Sequence, residues 1–152
     1  MQTVMQGSEE LDVPVDKLRT FLSDTSNLSR CIPDSSCFSK IDDSNFKVEI
    51  DAGISVVHDR FKVDGRLEIN GNAYTYELSG RGLGSSVKIR IMMELYDKGG
   101  RTLIDWKTEA MLSGIVSGVS EPIIKDVINK KVIQIIERMK IEMGIGPHGK
   151  TV

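Results

Sequence analysis

What the sequence lacks narrows its function first. There is no surplus of positive charge: 20 Lys and Arg stand against 22 Asp and Glu, a net charge of −2, which excludes the basic balance of a nucleic-acid binder. No apolar run approaches the roughly 18–20 residues of a membrane-spanning helix. The N-terminal stretch from Met1 to Glu10 has neither the basic nor the apolar region of a secretory signal. Cysteine occurs twice, at Cys31 and Cys37, and that spacing fits neither a zinc knuckle nor a Cys-x-x-Cys redox pair. Each is expected to be a buried or idle thiol, as suits a reducing cytoplasm. Histidine is equally rare: His148 falls near the C-terminus, and His58 beside Asp59 reads as a surface pair rather than a general base. No cluster of His, Cys, Asp and Glu has metal-ligand spacing, so no metal and no cofactor is expected.

What is present is patterned chain. At 152 residues, 39% of them hydrophobic and 28% charged, the length suits one domain with a substantial core, expected over 1–144 with a disordered tail over 145–152. Val87 to Leu95 alternates with period two, as do Phe61 to Ile69 and Phe46 to Ile50. Tyr74 to Ser79 and Thr102 to Leu112 read as further strands, the second holding the only tryptophan, Trp106. Alternation, rather than solid apolar runs, predicts antiparallel pairing with one solvated face. Short polar or glycine-bearing links at 42–45, 70–72 and 98–101 separate the strands as hairpin turns do. The pattern predicts a meander of six strands from Ser36 to Gly114, an added N-terminal strand between Thr3 and Val13, and a bulge or bend at Gly65.

Helices flank the meander. Pro14 followed by Leu18, Phe21 and Leu22 predicts a short helix. Asp24 caps a second, which runs towards Arg30 and stops at Pro33. The long helix is C-terminal, with Ser120 as N-cap, Pro122 in its first turn and Gly144 past its end. Ile124, Val127, Ile128, Val132, Ile135, Ile136 and Met139 recur at helical spacing, while Lys125, Asn129, Lys130, Glu137 and Lys140 take the other face.

Six or seven strands at roughly 4.8 Å spacing make a sheet about 30 Å wide, whereas one helix covers only about 10–12 Å. Three outcomes follow: the sheet curls around the helix and leaves an apolar cleft, the core fills tightly, or a second copy covers the rest. Aromatics are scarce at 5%, against seven methionines, including Met92, Met93, Met111, Met139 and Met143. These either fill gaps in a core or line a site for an irregular apolar ligand.

Two glycine-rich stretches approach known motifs and fail on context. Gly80-Arg81-Gly82-Leu83-Gly84 brings its third glycine one residue early for a dinucleotide loop and links two strands instead of opening a helix. Gly114-Ile115-Val116-Ser117-Gly118 lacks the nucleophile-elbow spacing and reads as the crossing from strand to helix. Glu77, Asp105 and Glu109 lie on strands. One facing inward would have a raised pKa and the makings of an acid or base, and the strand pattern leaves that open.

The carrying segments are Leu28-Ser29-Arg30-Cys31-Ile32-Pro33, Phe46 to Ile54 with Gly53, Leu78-Ser79-Gly80-Arg81-Gly82, Thr102-Leu103-Ile104-Asp105-Trp106 and Leu112 to Gly118. In this order, with this strand and helix succession, the chain resembles the START/polyketide cyclase (SRPBCC) superfamily, and within it the CoxG-like proteins, a family named for a component of carbon monoxide dehydrogenase. The resemblance spans residues 2–143 and implies an α+β helix-grip fold. A curved antiparallel sheet of seven strands would wrap around the C-terminal helix, with a hydrophobic cavity between them. Asp34 stands where the family usually has glycine, and longer members carry a hydrophobic C-terminal extension that has no counterpart after Val152, so a membrane-recruiting role is not expected.

What the resemblance implies is a cytoplasmic, non-catalytic protein that binds or carries a small hydrophobic ligand, quinone- or lipid-like, with membrane contact at most peripheral. Apolar burial, at roughly 25 cal/mol per Å², would hold the ligand. The expected wall is Phe61, Tyr76, Leu78, Ile91, Met93 and Trp106 from the sheet, with Ile124, Ile128 and Ile135 from the helix. Two alternatives stay open. One is an accessory or docking factor for a molybdenum-containing dehydrogenase complex. The other is a polyketide cyclase- or hydrolase-like enzyme, which needs an ionisable group inside the cavity.

Overall fold

The structure is a computed structural model describing residues 1–51, 60–82 and 84–145. His58 with Asp59, Gly53, Leu83, His148 and the rest of the expected tail beyond 145 lie outside these residues. Among the described residues, seven strands form one antiparallel sheet: β1 (Gln2–Leu11), β2 (Ser35–Lys40), β3 (Asn45–Asp51), β4 (Arg60–Asn70), β5 (Ala73–Gly82), β6 (Ser85–Asp97) and β7 (Thr102–Gly114). The spatial order is β1-β7-β6-β5-β4-β3-β2, so the meander from β2 to β7 ends with β1 laid against β7. Helices α1 (Val15–Ser23), α2 (Thr25–Cys31) and α3 (Glu121–Glu142) pack on the inner face, and a 3-10 turn at Ile115–Gly118 joins β7 to α3.

Alternation sets the faces as period two requires. On β4, Phe61, Val63 and Leu67 point into the core while Lys62, Asp64, Arg66 and Glu68 are exposed. Gly65 is not a bulge: it keeps regular register between Phe46 and Leu78. It is glycine because a Cβ there would overlap the Phe46 ring. The irregularity lies instead in β2, between Ser36 and Ser39, where Cys37 adopts φ 56°.

The cap expected at α2 is present. The Asp24 carboxylate accepts from the Ser26 hydroxyl at 2.7 Å and the Ser26 backbone N–H at 3.0 Å, and these bonds hold its pKa below the usual carboxylate value. A folded-state pKa lowered in this way stabilises the protein above about pH 3.9, the unfolded value. That stability is lost as pH falls through the folded pKa. Asp24→Ala is therefore expected to cost about 1 kcal/mol at neutral pH and nothing in acid, so the two proteins' denaturant midpoints converge below about pH 3.

At α3, Ser120 occupies the N-cap position without a side-chain cap bond, and Pro122 lies in the first turn. Lys140 does not join the solvated face assigned to it by periodicity. It is buried, and its ammonium lies 3.3 Å from Glu9 and 3.2 Å from Glu137, because Glu9 faces inward on β1 and meets it there. Lys17 donates to the Met143 carbonyl at 2.9 Å, and Ile145 is buried beyond the helix end.

No single helix covers the sheet. The short helices contribute Leu18, Phe21, Leu22 and Leu28 to a cluster with Phe46, Tyr74, Tyr76, Leu95 and the C-terminal half of α3. A second, smaller cluster gathers Ala110, Leu112, Val116, Val119 and Ile124 where β7 turns into α3. The middle of α3 bridges the two.

Candidate functional site

Along that bridge the core is not filled. On α3, the inward residues Val127, Ile128, Val132 and Ile135 are only half-buried. Facing them on the central strand β6, Val87, Ile89 and Ile91 are half-buried too. The close backbone approaches of α3 are to α2 and β1, so its middle stands off the central strands. The gap is a cavity of about 180 Å³ between sheet and helix, lined by residues of both clusters. For scale, an apolar cavity of about 150 Å³ in a well-packed protein stays dry and takes up benzene.

The expected wall residues Phe61, Leu78, Ile91, Met93, Trp106, Ile124, Ile128 and Ile135 all line this cavity. Tyr76 does not. It is fully buried under the short helices, its ring edge-on to Phe46 and its hydroxyl donating to the Leu22 carbonyl at 2.7 Å. Burial raises the pKa of that hydroxyl, with the Asp24 charge adding to the effect, so the phenol stays neutral and acts as a strut. The position of Trp106 depends on Gly7 across the β1–β7 ladder: a Cβ on Gly7 would stand 2.6 Å from the indole ring. Of the methionines, Met93 and Met139 reach the cavity, whereas Met111 is exposed on the far face and Met143 is sealed in the core.

Three polar or charged side chains on the wall are absent from the expected set: Thr108, Asp51 and Lys131. Asp51 is exposed and Lys131 half-buried, so both keep access to solvent, whereas Thr108 is 2% exposed. Alternation holds the signal for Thr108, which stands between Trp106 and Ala110 on the inward face of β7.

The carboxylates whose direction the sequence left open all point outward. Glu77 pairs with Arg90 at 3.7 Å, Glu109 with Lys107 at 3.4 Å, and Asp105 accepts from the Ser8 hydroxyl at 2.5 Å. Burial pushes the Cys31 thiol up to about 11, which keeps it protonated and unreactive, and Cys37 is exposed. Among the described residues, no group of His, Cys, Asp and Glu has metal-binding geometry. The site can enclose an apolar molecule, offer it one internal hydroxyl, and meet its solvent end with charge.

Comparison with known proteins agrees with this architecture. Residues 7–144 match the family model for CoxG, the G component of carbon monoxide dehydrogenase. A conserved protein from Geobacillus kaustophilus superposes with a TM-score of 0.84 at 20% identity, covering 93% of this chain and 95% of that one. A START superfamily protein from Mycobacterium smegmatis gives 0.72 at 11% identity over 92% and 96%. The Zhui aromatase/cyclase from Streptomyces gives 0.64 at 7% identity over 94% and 91%. No sequence among the curated proteins matches. The fold is the helix-grip fold of the START/polyketide cyclase superfamily, and the chain belongs to the carbon monoxide dehydrogenase CoxG family.

Proposed function

We propose that this protein binds and carries a small hydrophobic molecule, quinone- or lipid-like, in the cavity between sheet and α3. The observation that carries the reading is the row of inward-facing aliphatic residues left half-buried on both α3 and β6. Well-packed interiors leave few such voids, and a ligand that covered this surface would gain roughly 25 cal/mol for each Å² of apolar area removed from water. The cavity volume fits one ring system or a stretch of acyl chain, with the remainder passing out beside Asp51 and Lys131. We assign the protein to the cytoplasm, with membrane contact at most peripheral; no helix among the described residues is long and apolar enough to cross a membrane.

Trp106→Ala tests the assignment. The variant is expected to stay folded and to bind a decyl-substituted para-benzoquinone about tenfold more weakly, a loss of about 1.4 kcal/mol, read by equilibrium dialysis. Unchanged affinity in the folded variant would remove Trp106 from the binding wall.

The family's description favours a second reading, docking on a molybdenum-containing dehydrogenase complex. Co-purification of such a complex, undiminished when the cavity is blocked, would assign docking rather than carriage. A cyclase- or hydrolase-like activity has less support, since Glu77, Asp105 and Glu109 all face away from the cavity.

A further inference from the structure

Four buried side-chain polar atoms among the described residues have no hydrogen-bond partner: Thr3 Oγ1, Arg19 Nε, Thr25 Oγ1 and Thr108 Oγ1. Of these residues only Thr108 lines the cavity. It sits midway along β7, opposite Met5 on β1 and Ile91 on β6, and its neighbours on the inner face, Trp106 and Ala110, offer no acceptor. A threonine on a helix can turn its hydroxyl back to a carbonyl of the preceding turn. In a central strand those carbonyls are already committed to the ladder.

A buried hydroxyl without a partner is destabilising, and at a position that only packs, valine would serve better. We infer that Thr108 is the polar anchor of the bound molecule, its hydroxyl hydrogen-bonding a neutral oxygen, a ring carbonyl or hydroxyl, that the ligand carries inside the cavity. The inference rests on the carrier reading above. The oxygen is neutral because Thr108 is enclosed by apolar side chains, and a carboxylate there would be stripped of water with no cation to meet it. An anionic head group would instead lie at the solvent end, beside Lys131. The ligand class is thus an apolar ring or chain with an internal uncharged oxygen, rather than a simple hydrocarbon or a fatty acid held by its head.

Two probes that differ only in their oxygens test this: a decyl-substituted para-benzoquinone and decylbenzene, each titrated into wild type, Thr108→Val and Thr108→Ser. Wild type is expected to prefer the quinone. Thr108→Val is expected to lose about threefold to tenfold in quinone affinity while decylbenzene binding is unchanged or tighter, and Thr108→Ser to retain most of the preference. If Thr108→Val affects both probes alike or neither, or if wild type has no preference, the anchor is overturned and the apolar cavity stands. Wild type binding neither probe would bring down the carrier reading and the anchor together.

Discussion

Gly114→Ala is expected to lower the melting temperature by about 6–12 °C, the effect of roughly 3 kcal/mol in a chain of this length. Gly114 ends β7 at φ 79° and ψ −147°, a conformation essentially confined to glycine. Space is closed as well: a Cβ there would overlap the carbonyl oxygen of Gly84. That oxygen cannot withdraw cheaply, because it accepts the Ile115 N–H at 2.7 Å. Gly118→Ala, four residues on, is the control. Nothing stands within 4 Å of its Cβ position, and a change within about 0.5 kcal/mol is expected. The joint at Gly114 also sets how α3 leaves the sheet, and hence the gap beneath it. A shift under about 2 °C for Gly114→Ala, measured by thermal melting, would contradict the close approach of the two backbones.

Ile128→Trp is expected to abolish ligand binding, with at least a tenfold loss, while leaving the protein as stable as wild type or more so. Ile128 lies mid-helix, half-buried, on the cavity wall, so an indole there enters empty space and covers apolar surface that the ligand would otherwise cover. Filling a real void commonly adds about 0.5–2 kcal/mol. Were the helix instead packed down on the sheet in solution, the same substitution would overpack the core and cost about 1–3 kcal/mol. Chemical denaturation therefore reads whether the cavity exists, and dialysis against the decyl quinone reads whether it is where ligand binds.

The strands are legible in the sequence because their signal is local. Period-two alternation places Phe61, Leu78, Ile91, Met93 and Trp106 on one face, and pairing with β1 and β5–β7 leaves that face on the cavity. The misreadings share a non-local cause. Gly65 looks like a bulge until the Phe46 ring from the neighbouring strand is seen to need its space. Lys140 falls on the polar side of a helical wheel, and only the inward Glu9 of β1 explains its burial. Tyr76 shares a face with Leu78, yet the short helices cover that end of β5 and leave the other end open, a distinction alternation cannot make. Thr108 is hidden for a different reason: an apolar ligand's wall is recognised by its apolar residues, while the chemically distinctive position on such a wall is the polar exception.

The account's central claim is that the space between sheet and α3 is a binding cavity. Native mass spectrometry of the protein purified from its own host, followed by organic extraction and identification of what is released, tests it most directly. The account predicts a stoichiometric apolar molecule with an uncharged oxygen in its ring or chain. A protein that arrives empty, and stays empty when titrated with quinones and lipids, would contradict it.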